Sequence, residues 1–263
     1  MATRVNTKKQ TALITGASSG IGLDLAKSFA HNGYDLVLVA RSKDKLEALG
    51  RELGASYGVQ TRSYSYDLTK VNSPQALFDE LMNDGVVVDV VVNNAGFGFK
   101  GPFVDSGLDV ELSMIDLNIR ALTELTYLFV KPMVERGQGH VLNIASTAAF
   151  QPGPWMSVYC ATKAYVLSFG EGLSHELLGT GVTVTTHCPG ATQTGFADRA
   201  GNSESLVFRA GVMDSQSVAE DAFNAMTRGK VVRIAGLMNR LSAFGVRFMP
   251  RAFVRAFAAR LMK

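Results

Sequence analysis

Along the chain, short runs rich in valine, isoleucine, leucine and threonine alternate with longer stretches in which apolar residues recur every three or four positions. The short runs predict strands at 11–15, 35–40, 61–66, 86–92, 140–145, 182–187 and 230–235. The longer stretches predict helices near 21–32, 43–53, 74–83, 110–135, 158–178 and 217–228. Val86-Val87-Val88-Asp89-Val90-Val91-Val92 is nearly all apolar, as expected of a strand covered on both faces. Strand following helix in this rhythm predicts an α/β fold: a doubly wound, mostly parallel sheet with helices on both faces and right-handed crossovers. No repeat, low-complexity tract or linker interrupts it, so residues 1–263 are expected to form one domain. The stretch 191–213 lacks periodicity, and a connection that long in a compact domain predicts a lid.

Composition narrows the classes without naming a function. A chain of 263 residues with 47% hydrophobic and 19% charged residues suits one globular α/β domain. A net charge of +3, with no basic patch interleaved with aromatics, argues against nucleic acid as a partner. Cys160 and Cys188 form no CxxC pair and are expected to be buried free thiols in a reducing compartment. His31, His140, His175 and His187 show no metal-ligand spacing, so no metal is expected. No apolar leader precedes the first strand, and no run approaches the roughly 18 residues of a membrane span. The expectation is a soluble cytoplasmic protein.

Two features carry chemistry. The first apolar run leads into Thr15-Gly16-Ala17-Ser18-Ser19-Gly20-Ile21-Gly22, and a helical pattern follows. Such a loop alone is ordinary, but directly after a strand and before a helix it points to a dinucleotide. The glycines let the backbone turn tightly and approach a pyrophosphate, and the helix start offers free N–H groups. The second is Tyr159 and Lys163, with Ser146 thirteen residues before the tyrosine. Positions i and i+4 share a helix face, so phenol and ammonium can enter one pocket. A nearby cation lowers a phenol's pKa toward the range useful for exchanging protons with an alcohol. Ser146 is not surrounded by G-x-S-x-G, so a hydrolase nucleophile is not expected. Cys160 projects about 100° from Tyr159 and is given no chemistry.

Together with Asn93-Asn94-Ala95-Gly96 and Pro189-Gly190, these motifs stand in the order found in classical short-chain dehydrogenases/reductases, and the chain resembles that family from about residue 10 to 194. The resemblance implies a seven-stranded Rossmann-type fold and a nicotinamide cofactor. It makes Tyr159 the acid or base, Ser146 a hydrogen-bond partner of the substrate oxygen, and Lys163 the group that holds the nicotinamide ribose and depresses the Tyr159 pKa. It adds Asn118 as the brace of a proton-relay water. It implies cofactor contacts at Gly16, Ser18, Ser19, Gly20, Ile21, Gly22, Asp67, Leu68, Asn94, Ala95, Gly96, Pro189, Gly190, Thr192 and Thr194.

After the second strand, Ala40 stands where an NAD-type member carries an acid, and Arg41 and Ser42 follow. A guanidinium grips a phosphate through paired hydrogen bonds, which points to NADP(H). Relatives of that preference often carry a second basic residue where Ser19 stands, so the preference is expected to rest on Arg41. The substrate is expected to be a small-molecule carbonyl or alcohol of hydrophobic type. Its pocket is assigned to Phe97, Phe99, Phe103, Gln151, Trp155, Met156, Phe196 and Phe208, with a β-ketoacyl thioester as an alternative substrate. From Ala222 onward the chain has no Asp or Glu but nine Lys and Arg among apolar residues, and Pro250 is expected to divide two helices. This segment, 237–263, is expected to pack on the sheet or a subunit interface, a reading preferred over an anionic membrane or an acidic partner. The resemblance also implies a homodimer or homotetramer, assembled through the long helices carrying Asn118 and Tyr159.

Overall fold

The structure is a computed structural model that describes residues 9–196, 200–201 and 212–262. Among these, seven strands form one parallel sheet: β1 Thr11–Thr15, β2 Asp35–Ala40, β3 Thr61–Ser65, β4 Val90–Asn93, β5 Gly139–Ile144, β6 Val182–Cys188 and β7 Val232–Ile234. Their order is β3-β2-β1-β4-β5-β6-β7, and every pairing is parallel. The direction of winding reverses between β1 and β4, which opens a crevice at the carboxyl ends of those strands.

The helices are α1 Gly20–His31, α2 Lys43–Tyr57, α3 Ser73–Asn83, α4 Leu108–Ile115, α5 Leu122–Arg136, α6 Ser157–Glu176, α7 Ser215–Thr227, α8 Leu237–Gly245 and α9 Arg251–Met262. One core layer lies between the sheet and α1, α2 and α7, with Ile14, Phe29, Leu38 and Phe223 at its centre. The other lies beneath α3 and α5, around Leu13, Val37, Val91, Phe129 and Met133. Because both faces are covered, the central strands are continuously apolar.

Most element ends shift by one to four residues, and two differences from the sequence reading alter the architecture. The strand predicted over 86–92 pairs only from Val90. Val86 and Val88 are buried, but they belong to the climb from the α3 terminus into the sheet, where Val86 N–H donates to the Leu81 carbonyl at 2.9 Å. Their apolarity reports burial, which a strand shares with a packed connection. The helix predicted over 110–135 is not continuous α-helix. Asp116–Ala121 is a π-helical turn between α4 and α5, and it carries Asn118.

A buried polar network ties the far end of the sheet together. His187 on β6 is fully buried, with Nε2 3.0 Å from Asp221 Oδ2 on α7. Asp221 also receives Arg233 of β7 through Nε at 2.9 and 3.0 Å and Nη2 at 2.6 Å. The His187 hydrogen bond, and beside it the guanidinium, hold the Asp221 carboxyl well below the usual carboxylate range despite partial burial. His187 is therefore a packing residue. The divided C-terminal helices are present, with Pro250 between them.

Candidate active site

The end of β1 is sewn to the end of β4. The Thr15 hydroxyl accepts from the backbone N–H of Asn94 and Ala95, both at 3.0 Å, and donates to the Val92 carbonyl at 3.1 Å. The Asn94 side chain donates to the Thr15 carbonyl at 2.9 Å. The glycine turn passes over this seam, and a Cβ at Gly22 would run into the Gly16 carbonyl and the Asn94 amide. Helix α1 begins there with Ser19 as N-cap, whose side chain makes no capping hydrogen bond, and no acid lies in its first turn. Its first-turn amides are thus left for an anion from outside the helix. That is what a dinucleotide pyrophosphate requires, so these residues fit the expected cofactor.

A cleft of about 540 Å³ runs from this turn across the carboxyl ends of the strands. Every cofactor-contact residue assigned above lines it: the glycine turn, Arg41 and Ser42, Asp67 and Leu68, Asn94 to Gly96, and Pro189, Gly190, Thr192 and Thr194. Lys45, which the sequence reading passed over, lines it too. Lys45 sits in the first turn of α2, close after Arg41 and Ser42, and adds a second cation at that end. Asp67 also shapes its own turn: Oδ1 accepts from the Thr69 hydroxyl at 2.8 Å and the Thr69 N–H at 3.1 Å. Partial burial pushes this carboxyl up, but the Thr69 hydrogen bonds and the Arg41 charge outweigh it and hold it low.

At the other end, Ser146 follows β5 and caps a short 3-10 turn, accepting from Ala148 N–H at 3.1 Å. Tyr159 and Lys163 reach the same place from one face of α6, and both are buried. Lys163 Nζ donates to the Ile144 carbonyl at 2.9 Å and lies 5.9 Å from the Tyr159 ring centroid. Burial pulls the Lys163 pKa down to about 8, with the charge of Cys188 opposing it. The expected depression of the phenol by Lys163 is not what the structure shows. Burial pushes Tyr159 above its ordinary value, and a hydrogen bond with Ser146 only partly offsets this. The ammonium is turned toward Ile144, so desolvation of the phenol dominates.

Asn118 bonds to protein groups on both sides. Its Oδ1 accepts from Phe97 N–H at 3.2 Å, and its Nδ2 donates to the Phe97 carbonyl and the Thr162 hydroxyl, both at 3.0 Å. Thr162 in turn donates to the Tyr159 carbonyl at 2.7 Å. Asn118 thereby straps the loop after β4 to the turn of α6 that carries Tyr159. Asn118 Oδ1 and Lys163 Nζ both border Gly96: a Cβ there would stand 3.0 Å from one and 3.6 Å from the other.

Phe97, Gln151, Met156 and Phe196, assigned above to the substrate, line the same cleft as Ser146 and Tyr159. Phe196 packs on Tyr159 with ring centroids 5.4 Å apart. Trp155 is a correction: among the described residues it does not line the cleft. It is 42% exposed, adopts a left-handed φ of 69°, and offers its carbonyl to Gly101 N–H. The turn that aims Met156 inward rotates its neighbour out. Phe103 is exposed, and Phe99, packed against the cluster of Met114, Met156, Tyr159 and Cys160, does not line the cleft. Phe208 lies outside the described residues, as does most of 191–213. Gly98 was missed as well. A Cβ there would come within 3.1 Å of the Tyr159 ring and 2.8 Å of Phe196. A glycine between two phenylalanines was the available signal.

The family model for short chain dehydrogenases matches residues 10–205. The chain belongs to this family. It is 38% identical to a short-chain dehydrogenase from Sphingobium yanoikuyae solved in complex with NADPH, with a TM-score of 0.82 over 91% of this chain and 94% of that one. A bulky-bulky ketone specific alcohol dehydrogenase from Comamonas testosteroni is 31% identical, with a TM-score of 0.78 over 92% and 93% of the two chains. Ketoacyl reductase HetN of Nostoc is 33% identical over 82% of this chain and 75% of its own. As a short-chain dehydrogenase, the chain is a Rossmann-type oxidoreductase with a nicotinamide cofactor.

Proposed function

We propose that this short-chain dehydrogenase uses NADP(H) to interconvert a hydrophobic ketone or aldehyde and its alcohol. The reading is carried by one observation: Ser146, Tyr159 and Lys163, from two separate elements, converge in the cleft that the glycine turn and Arg41 also line. The bound dinucleotide supplies or accepts the hydride. The chain's own residues do the rest. Arg41, Ser42 and Lys45 hold the 2′-phosphate end, the α1 amides hold the pyrophosphate, and Thr192 and Thr194 hold the nicotinamide end. Ser146 orients the substrate oxygen. Tyr159 protonates that oxygen in reduction, and its raised pKa keeps the acid form present at neutral pH. Lys163 remains cationic below about 8 and holds the nicotinamide ribose, and Asn118 braces the proton path.

Phe97, Met156 and Phe196 favour an apolar substrate. Segment 191–213 is proposed to cover it as a lid. Its base is pinned where Met213 N–H donates to the Ala191 carbonyl and Gln193 N–H to the Met213 carbonyl, both at 2.8 Å. Cys160 and Cys188 are buried free thiols, which suits a cytoplasmic setting. Exposed Leu112, Ile115, Tyr127 and Tyr165 on α4 to α6 support a homodimer through those helices.

The test is oxidation of NADPH and NADH against a panel of ketones, aldehydes and β-ketoacyl thioesters. Tyr159→Phe is expected to lower kcat on the order of 10²–10⁴-fold while NADPH binding persists. Undiminished turnover overturns the mechanism. Arg41→Ala is expected to lower the NADPH-over-NADH ratio of kcat/KM by about tenfold or more, the worth of one charge-assisted contact. An unchanged ratio overturns the cofactor assignment.

A further inference from the structure

We propose that the face formed by β7 and α8 is a docking surface for an anionic lipid bilayer. A second cavity, of about 620 Å³, lies between the edge strand β7 and helix α8, apart from the dinucleotide cleft. Lys230, Arg240 and Arg247 stand around it, and Leu237, Leu241 and Phe244 form its apolar wall. A fourth cation, Arg233, also lines it but is held by Asp221. The other three have no acid partner among the described residues.

The apolar wall is not covered. Helix α8 buries only Ala243, so Leu237, Leu241 and Phe244 are exposed, Phe244 at 59%. The apolar surface continues beyond the cavity: Phe248 packs edge-on against Phe244 at 5.0 Å while remaining 74% exposed, and Phe253 and Phe257 stack on the outer side of α9, whose inner side buries Val254 and Ala258. This is the composition of an interfacial helix, with aromatic and aliphatic side chains flanked by Arg and Lys. No helix among the described residues is long and apolar enough to cross a bilayer. The face lies on the surface, its cations toward lipid phosphates and Leu237, Leu241 and Phe244 toward the acyl boundary.

Charge decides between this occupant and the others. From Ala222 to the last residue the chain carries nine Lys and Arg and no Asp or Glu. A two-fold contact with a second copy would set this face against itself and bring the like charges together. An acidic protein would satisfy the cations, but it gives no reason for an apolar surface that runs on past the cavity into α9. The surface also borders the active site. Phe150, four residues after Ser146, lines the cavity, and Asn239 of α8 abuts Gly190 and donates to the Ala235 carbonyl at 2.8 Å.

The experiment is co-sedimentation of the full chain with vesicles of phosphatidylcholine alone or mixed with phosphatidylglycerol, near physiological salt. The chain is expected to partition onto the mixed vesicles and not onto the neutral ones. Lys230→Gln/Arg240→Gln/Arg247→Gln should weaken partitioning by roughly a hundredfold, from three surface cations. Leu241→Ser/Phe244→Ser should weaken it at least tenfold on the same anionic vesicles. Titrated NADPH fluorescence, expected unchanged in both variants, shows that they are folded. The proposal is overturned if the chain does not sediment with anionic vesicles. It is also overturned if the serine variant binds as wild type and polyglutamate retains the chain equally, which makes the face an acidic-protein site. It fails too if the serine variant instead dissociates an oligomer, which makes the face a self-interface.

Discussion

Lys163 is a lysine whose burial weakens its hold on the proton. Burial lowers its folded-state pKa to about 8 from the usual 10.5. Below about 8 both folded and unfolded chains hold the proton, and the fold bears the cost of a buried ammonium. As pH rises through that value the folded protein releases the proton, while the unfolded chain keeps it until near 10.5. The unfolded state binds more protons across this window, so the group's contribution to stability becomes more favourable with rising pH. The unfolding free energy of wild type minus that of Lys163→Met, followed by denaturant titration, is therefore expected to rise between pH 8 and pH 10. A flat difference would show that the ammonium is not desolvated. The residue types of the site were legible because its chemistry requires them: a phenol, an ammonium and a hydroxyl at fixed spacing. The direction of the Tyr159 shift was not, because it depends on how far burial outweighs a cation tied to Ile144.

At the level of elements, the π-helical turn Asp116–Ala121 is the feature that periodicity could not show. Its apolar pattern blends into α4 and α5, and a single wide turn moves the register by one residue. That turn sets Asn118 between the loop after β4 and helix α6. Replacing it leaves Phe97 N–H and carbonyl and one Thr162 contact without partners in a buried setting. Asn118→Ala is expected to lose about 2 kcal/mol or more of stability, and to lower kcat beyond what Thr162→Val does. Thermal unfolding and turnover of the two variants check this, and equal turnover would confine Asn118 to stability. The same reasoning explains the shortened β4. Val86 and Val88 are apolar because α3 and α5 cover them, and apolarity alone does not distinguish a paired strand from a buried connection. Trp155 shows the converse: it read as pocket lining by type and lies outside because the 151–156 turn faces Met156 inward.

Across the whole molecule, the reversal between β1 and β4 gathers the ends of β1, β4, β5 and β6 into one crevice, so residues more than a hundred positions apart share a cleft. The parallel fold was written in the alternation of strand and helix, because a parallel sheet covered on both faces demands that rhythm, while the strand order came with the tertiary structure. The glycine turn, Arg41 and the Ser146, Tyr159 and Lys163 spacing were likewise written in residue type, since each is imposed by local chemistry. Only the tertiary structure decided the rest. It set Lys45 on the lining of the cleft, Gly98 against the Tyr159 ring, and turned Trp155 out. It also left Leu237, Leu241 and Phe244 of α8 and Phe253 and Phe257 of α9 exposed, although the same pattern in sequence fits a helix packed on the sheet. The physical reason is common to all four: whether a side chain is buried, and against what, is fixed by neighbours distant in the chain, while its chemistry is fixed by its own type.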